Sequence, residues 1–405
     1  MKVLIKNFMF SGGAPRSLLE YGKVFVALGY DVLSLGEYVG DDAQELYNKA
    51  GIRTINIKSL KIINFLNNIV SIFKLIKIVK EEKPDLIISI TGYDAVICSS
   101  LGACLGIPVI IVVAGGAYNG KRRMTSMWKN NHVIVFSHEN ISDLVSVGYD
   151  EDKIMLISNR IKANIDMLWQ KHYQELINLN ITLKLLITSR LTKTKMSSVV
   201  NVLDIFENLL ESEKNIQLDI IGDGDAYELI KHKAEQINNK FKKNFIHVLG
   251  HKNNINSYFE DAHIFFGKGR SVIEPIMKNR IGIVIGDNKS MSICNEQTFD
   301  NLFRYNFSGR DIRTEFSQAD LKELILNLRL GTFPLSSIID TSSLVSKYYD
   351  ISKVEDILIK LCNKVIKNEQ RPYLKISLYF NVYISYLLIY VNIILRYIAK
   401  RSFRT

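Results

Sequence analysis

Leu183-Lys184-Leu185-Leu186-Ile187-Thr188-Ser189-Arg190-Leu191-Thr192-Lys193-Thr194-Lys195 is the stretch whose reading decides the fold. It opens as a short apolar run of strand length, breaks into a polar and basic loop, and is followed by a helical apolar pattern over Ser197–Leu210. What precedes it gives it weight. Asn159–Asn180 is polar, interrupted only by Met167-Leu168-Trp169 and a few other apolar residues. A strand–loop–helix pattern that restarts after such a pause predicts a second α/β unit with its own core, joined to the first by a linker near residues 160–181.

Before the pause the same alternation runs from the N-terminus. Strands are predicted at Lys2–Ile5, Asp31–Leu35, Arg53–Ile57, Asp85–Ile90, Pro108–Val113, His132–Phe136 and Lys153–Ile157, and helices at about Ala14–Leu28, Leu60–Lys80, Ala95–Leu105 and Glu139–Val147. Seven strands with intervening helices make an open, mostly parallel sheet. After the restart come strand Ile216–Ile221, helix Ala226–Ile237, strands Phe245–Leu249 and His263–Phe266, helix Ser271–Lys278 and strand Ile281–Ile285. A last amphipathic helix, about Lys353–Lys367, is expected to close the second unit. Boundaries of 1–165 for the first domain, 181–345 for the second and 346–370 for the closing segment follow. Two such sheets are expected to face a cleft, with ligands beyond the carboxyl ends of the strands.

A length of 405 residues suits two domains, and 47% hydrophobic with 23% charged residues excludes a disordered or fibrous chain. The net charge of +11 is unevenly placed: Arg371, Lys375, Arg396, Lys400, Arg401 and Arg404 stand in a C-terminal segment without Asp or Glu. That leaves too little excess on the body to argue for a nucleic-acid partner. Cys98, Cys104, Cys294 and Cys362 lack metal-like spacing and read as buried thiols of a reducing compartment. The apolar run at Met1–Ile5 is too short for a signal peptide, so a cytosolic body is expected.

Three loops could handle an anion. Ser11-Gly12-Gly13-Ala14-Pro15-Arg16 follows the first strand. Its glycine pair permits close backbone approach at a helix start, although a plain strand-to-helix turn has the same composition. Arg190 and Lys195 follow the strand quoted above, where Arg can clamp a phosphate bidentately and Lys adds a point charge; solvated loop cations are the alternative. Phe266-Gly267-Lys268-Gly269-Arg270-Ser271-Val272-Ile273-Glu274 is strand, glycine-rich turn and helix start. Glu274, placed here in the first helical turn, either complements the helix dipole or accepts hydrogen bonds from ligand hydroxyls.

Together these residues resemble the retaining, nucleotide-sugar-dependent glycosyltransferases of the large GT-B family (group 1, family four), over roughly residues 1–365. Ser189-Arg190-Leu191 with Lys195 is similar to the family's Gly-Arg-Leu…Lys motif, and Ile220-Ile221-Gly222-Asp223-Gly224 to its Val-Gly-Asp-Gly strand end. Leu249-Gly250-His251 with Tyr258-Phe259 resembles its Leu-Gly…Tyr stretch; Gly269 to Glu274 resembles the helix entry carrying its distal acid; Tyr305-Asn306-Phe307-Ser308-Gly309-Arg310 resembles a segment of bacterial members. The resemblance implies an α/β GT-B fold of two Rossmann-like domains, an N-terminal acceptor domain and a C-terminal donor domain. It implies transfer of a sugar from a nucleoside diphosphate to a glycan or lipid-linked acceptor hydroxyl, without a cofactor. Arg190, Lys195 and the amides of Gly269–Val272 would meet the diphosphate, Gly12-Gly13 would approach from the opposite domain, and Glu274 would receive the ribose hydroxyls. Gly222, Gly250, His251, Gly267 and Arg270 would line the donor site with Gly269, Ser271 and Val272.

The chain departs from the family pattern in two places. Eight positions before Glu274, where the family has a second Glu, stands Phe266; where the family often has His after the strand ending Val112-Val113, this chain has Ala114-Gly115-Gly116. Both changes would touch the sugar rather than the nucleotide. They keep open a non-catalytic membrane-bound nucleotide-sugar-binding partner as an alternative, and the shared fold keeps open a GT-B-fold sugar-nucleotide epimerase or phosphorylase. No metal site is expected: Asp223-Gly224-Asp225 and Asp150-Glu151-Asp152 read as turns, and the seven histidines lack ligand spacing. His138 reads as a helix-start residue, with a ligand-facing role as the alternative.

Membrane contact is expected at the cytoplasmic face. Ile376–Leu395 is an uncharged run of bilayer-spanning length, flanked by Lys375 and Arg396. Its Ser377, Asn381, Ser385 and Asn392, and a stripe of Tyr379, Tyr383, Tyr386 and Tyr390, leave spanning, lying flat and packing on the body as alternatives. Leu60–Lys80 reads as a sheet-packed helix or a basic interfacial one, and Lys121-Arg122-Arg123 as a basic loop.

Overall fold

The computed structural model describes residues 1–10, 12–38, 42–58, 65–115, 129–162, 167–252, 255–313, 315–368, 384 and 387. The chain divides into two compact units, Met1–Lys162 with the chain from Ile351 onward, and Ala163–Asp350.

The first unit is a seven-stranded sheet. In chain order the strands are β1 (Lys2–Met9), β2 (Asp31–Glu37), β3 (Arg53–Asn56), β4 (Leu86–Ile90), β5 (Val109–Val113), β6 (His132–Val135) and β7 (Ile154–Leu156). They lie in the order β3-β2-β1-β4-β5-β6-β7, and all neighbouring pairs are parallel. The two-residue side-chain period sorts each strand onto two faces. Leu4, Ile87, Ile111 and Val133 join one core with helices Phe65–Glu82 and Tyr93–Leu105. Val3, Ile5, Ile88, Ile110 and Ile134 join another with helix Gly13–Ala27. The sheet is therefore buried on both faces, which is why its strands read as nearly continuous apolar runs.

The last described helix, Glu355–Asn368, belongs to this second face: Val354, Leu358, Leu361, Cys362 and Val365 are buried in one cluster with Ile110, Ile134 and Phe136. The expectation that it closes the second unit is thus corrected. Its apolar stripe is real, but the face needing cover is that of the first sheet, and the Ile351 amide bonds back to the Ile161 carbonyl at 2.9 Å.

The second unit has β8 (Leu183–Thr188), β9 (Ile216–Ile221), β10 (Ile246–Gly250), β11 (Ile264–Gly267), β12 (Ile281–Ile285) and β13 (Met291–Ile293), in the order β10-β9-β8-β11-β12-β13. Only β13 runs antiparallel among these pairs. Helices follow at Met196–Leu209, Tyr227–Phe241, Asn256–Asp261, Arg270–Ile276, Glu296–Arg304, Gln318–Leu330 and Leu335–Tyr349. The stretch expected as linker contains a helix, Trp169–Glu175, whose Trp169 and Tyr173 are buried in the second core. The Tyr173 hydroxyl donates to the His263 carbonyl and accepts from the Ile281 amide at 3.0 Å, so this one side chain ties the segment to the starts of β11 and β12.

Of the cysteines, Cys98, Cys294 and Cys362 are buried, and burial raises the thiol pKa of Cys98 and of Cys362 to about 12. Among the described residues no helix is long and apolar enough to cross a membrane. Ser11, Leu60–Asn64, Gly116, Lys121-Arg122-Arg123 and the tail 371–405, apart from Ile384 and Leu387, lie outside the described residues.

Candidate functional site

Each sheet has one topological switch point. In the first, the chain leaves β1 toward β2 and β3 and returns on the other side with β4; in the second, it leaves β8 toward β9 and β10 and returns with β11. Between such strands the loops part, leaving a crevice at the carboxyl ends where open α/β sheets bind ligands. The sequence motifs fall there: the Gly12-Gly13 turn follows β1, the Arg190 loop follows β8, and the Gly267–Gly269 turn follows β11.

In the first unit Gly12 caps helix Gly13–Ala27 with φ 102°, a conformation that favours glycine. Gly13 is different. It has no positive φ, and a Cβ there would meet nothing within 4 Å. Among the described residues, neither backbone conformation nor packing requires glycine at 13. Across the switch point Gly92, at φ 126°, also has open space around it. Beneath, Lys6 is buried on β1 and pairs with Asp94 at 3.1 Å, and the side-chain oxygen of buried Asn7 has no hydrogen-bond partner. Ala114 is half-buried against the core that contains Val112. His138 begins helix His138–Ser146 directly after Ser137, whose side chain accepts the Asn140 amide.

In the second unit the loop after β8 is stitched to the turn after β9. The Ser189 amide bonds the Ile221 carbonyl and the Leu191 amide bonds the Asp223 carbonyl, each at 3.0 Å. A Cβ on Gly222 would lie 1.8 Å from the Ser189 oxygen, and one on Gly224 would lie 2.3 Å from the Leu191 oxygen. Gly222, expected at the ligand, therefore acts as the spacer that lets the Arg190 loop sit down on its neighbour. The carboxylates of the Asp-x-Asp turn are used locally: Asp223 accepts the Gly224 amide at 2.7 Å and Asp225 the Lys193 amide at 2.9 Å. Gly250 accepts the Gly222 amide through its carbonyl and has φ 69°, while His251 is exposed just after it.

Arg190 and Lys195 share an electrostatic neighbourhood with Lys268, to which no sequence motif assigns a role. Desolvation of the Lys195 ammonium first, then the charges of Arg190 and Lys268, lower its pKa below the ordinary lysine value, and Asp287 opposes them. Lys268 itself is paired with Asp287, the second residue after β12. Cations within electrostatic reach of one another are a group that can meet a multiply charged anion. Among the described residues the buried Thr188 hydroxyl at the end of β8 has no hydrogen-bond partner.

The turn after β11 corrects two expectations. Glu274 is the fifth residue of helix Arg270–Ile276, not part of its first turn, and its carboxylate is paired with Arg270 one turn earlier. Of the Gly269–Val272 amides expected to cradle a diphosphate, that of Gly269 goes to the Phe307 carbonyl at 2.6 Å, and that of Val272 to the Gly269 carbonyl at 3.1 Å. The Ser271 hydroxyl accepts the Lys268 amide at 3.0 Å, and a Cβ on Gly267 would strike that hydroxyl oxygen at 2.4 Å. These residues shape the turn that presents Lys268. Behind it, Asn306 and Phe307 both take left-handed backbone conformations (φ 52° and 53°), held by the complete burial of Phe307 against Phe299 and Tyr349. Phe266 is 1% exposed within the core beside Leu185, Ile187 and Ile283, so it is a packing residue.

Against known proteins, residues 11–164 match the family described as Glycosyltransferase Family 4. The HepE protein of Anabaena, solved in complex with UDP and glucose, is similar in structure with a TM-score of 0.64 at 13% identity, covering 90% of this chain and 99% of its own. A glycosyltransferase from Rickettsia africae matches with a TM-score of 0.61 at 16% identity, over 91% of this chain and 99% of that one. The fold is GT-B. Residues 11–164 are thus similar to a glycosyltransferase-family domain, and the chain has a Rossmann-like α/β fold. A UDP-GlcNAc 2-epimerase from Neisseria meningitidis, bound to UDP-GlcNAc, shares the frame with a TM-score of 0.55 at 13% identity, covering 90% of this chain and 100% of that chain. No curated protein matches the sequence.

Proposed function

We propose that this chain is a retaining glycosyltransferase that moves a sugar from a nucleoside-diphosphate sugar to an acceptor hydroxyl, in surface-polysaccharide or lipid-linked glycan synthesis. The observation that carries the reading is the position of Arg190, Lys195 and Lys268, which all follow the two strands at the switch point of the second unit, β8 and β11. The domain match over residues 11–164 favours a transferase over the epimerases that share the frame. UDP is the nucleotide to try first, because HepE was solved with it.

In this reading the second unit holds the donor and the first receives the acceptor near Gly12 and Gly13. As the bond from the sugar to the phosphate oxygen breaks, negative charge grows on the diphosphate. Arg190 and Lys195 stabilise it electrostatically. Retention of configuration needs no carboxylate pair, since the leaving phosphate oxygen takes the acceptor proton. Glu274, oriented by Arg270, receives the ribose hydroxyls. The basic, partly uncharged segment 371–405 attaches the enzyme to the cytoplasmic face of a membrane, each cation near anionic lipid adding about 1 kcal/mol.

The test is the detergent-solubilised full chain with a panel of nucleotide sugars and lipid-linked acceptors, the product anomer being read by NMR. Transfer with retention is expected, falling about 100-fold in Arg190→Ala and in Lys195→Ala. Absence of both transfer and donor hydrolysis across the panel counts against the proposal. Donor isomerisation alone would assign an epimerase, and UDP binding without turnover a non-catalytic partner. Deletion of 371–405 is expected to release the protein from membranes on fractionation.

A further inference from the structure

Asp287 is oddly placed for a site that must bind an anion. It follows β12, the strand beside β11, so its loop borders both the Lys268 turn and the start of helix Met196–Leu209. Two bonds pin that loop to the helix: Ser197 donates its hydroxyl to the Asp287 carbonyl at 2.9 Å, and Asn201 donates its side-chain amide to the Lys289 carbonyl at 2.8 Å. Inside the loop the Gly286 amide bonds the Ser290 carbonyl at 2.7 Å, and Ser290 donates to the Asn288 side chain at 2.6 Å. The backbone of Asp287 is thus fixed while its carboxylate, 58% exposed, reaches Lys268, whose side chain is only 16% exposed. A surface carboxylate has no folding need for a lysine drawn in this far.

We propose that Asp287 is an internal counter-anion: in the free protein its carboxylate neutralises Lys268 beside Arg190 and Lys195, and a diphosphate must displace it to recruit Lys268 as a third phosphate-binding cation. The proposal rests on the function proposed above and deepens it. Once the acceptor proton it took has passed to solvent, the nucleoside diphosphate left after transfer carries one more negative charge than the same diphosphate esterified to a sugar. Three unopposed cations would hold that product most tightly of all. A tethered carboxylate that re-enters the cation cluster competes with the bound product and speeds its release, at some cost in affinity for the donor.

The experiment is calorimetric titration of the full chain with two probes, inorganic pyrophosphate and UDP, on wild type, Asp287→Asn, Asp287→Glu, Lys268→Ala and the double variant Lys268→Ala/Asp287→Asn. Asp287→Asn is expected to bind both probes about tenfold more tightly, the size of one charge-assisted hydrogen bond, whereas Asp287→Glu, which keeps the charge, stays near wild type. Lys268→Ala is expected to weaken binding, and to do so by a larger factor when Asp287 is already Asn, because the lysine is then unmasked. Thermal unfolding of each variant confirms that the fold is retained. Unchanged or weaker pyrophosphate binding in folded Asp287→Asn overturns the proposal. So does a Lys268→Ala effect that is the same in both backgrounds. If pyrophosphate responds as expected while UDP binds no variant, the nucleotide-sugar reading fails and the counter-anion stands. If UDP binds but ignores Asp287, the reverse holds. Binding of neither probe overturns both.

Discussion

Replacing Gly222 by Ala tests whether the Arg190 loop is held in place by the neighbouring turn. The added Cβ would lie 1.8 Å from the Ser189 carbonyl oxygen and 2.9 Å from its carbon, and φ at 222 is 154°. Ordinary contacts are roughly 3.5 Å, so the carbonyl that immediately precedes Arg190 has to retreat by well over ~1 Å. That movement pulls on the bonds from Ser189 to Ile221 and from Leu191 to Asp223. Losing both costs about 2 kcal/mol, and overpacking adds ~1–3 kcal/mol. For a unit of this size each kcal/mol shifts Tm by ~2–4 °C, so a fall of about 10 °C is expected by circular dichroism. Function suffers separately: displacement of a binding group by ~1 Å can cost about 100-fold. UDP titration well below the new Tm should therefore show at least about a tenfold loss of affinity. A Gly222→Ala protein with wild-type Tm and wild-type UDP affinity would refute the stitched-loop argument.

Gly13→Ala should behave in the opposite way: Tm within a degree or two of wild type, since the Cβ meets nothing, but transfer activity down by at least about tenfold if a ligand passes over that position. Full activity in this variant would remove Gly13 from the site. Leu361→Ala, in the last described helix, should destabilise the first unit by ~2–4 kcal/mol, measured by urea unfolding, because the side chain is 1% exposed in that unit's core. His263 supplies a pH signature: its imidazole is held neutral, with a pKa pushed down to about 3 by burial first and Arg280 second, while Nδ1 accepts the Lys184 amide at 3.1 Å. Below the unfolded value near 6.5 the unfolded chain binds the extra proton. Stability is then complete above that pH and falls by about 1.4 kcal/mol per unit as pH drops toward 3, and His263→Asn should flatten this part of the pH–stability curve.

Much of the frame was legible because the signals are local. The strands of the first sheet are short apolar runs whose alternate residues bury on opposite faces, as in Val3, Leu4 and Ile5, and the restart at Leu183 announced a second sheet. The loops at the two switch points were legible too, since they follow strand ends. Short polar segments were not. Asp42–Lys49 and Trp169–Glu175 are helical in the structure although too brief and too polar to show a period, and the second is fixed by where Trp169 and Tyr173 find a core. The Arg270–Glu274 pair could have been read from its spacing of four; the pairing of Lys268 with Asp287, nineteen residues apart, could not.

Sequence alone thus determined two mostly parallel sheets, the order of their loops, and the residue types that stand at the strand ends. Tertiary structure decided which sheet the helix Glu355–Asn368 covers, that Gly222 is a spacer while Gly13 is not, and that a carboxylate from the end of β12 joins the cations that follow β8 and β11. The physical reason is range. Period, turn chemistry and strand length are properties of a few neighbouring residues, whereas an uncovered face or a charge partner exists only once distant segments have been brought together.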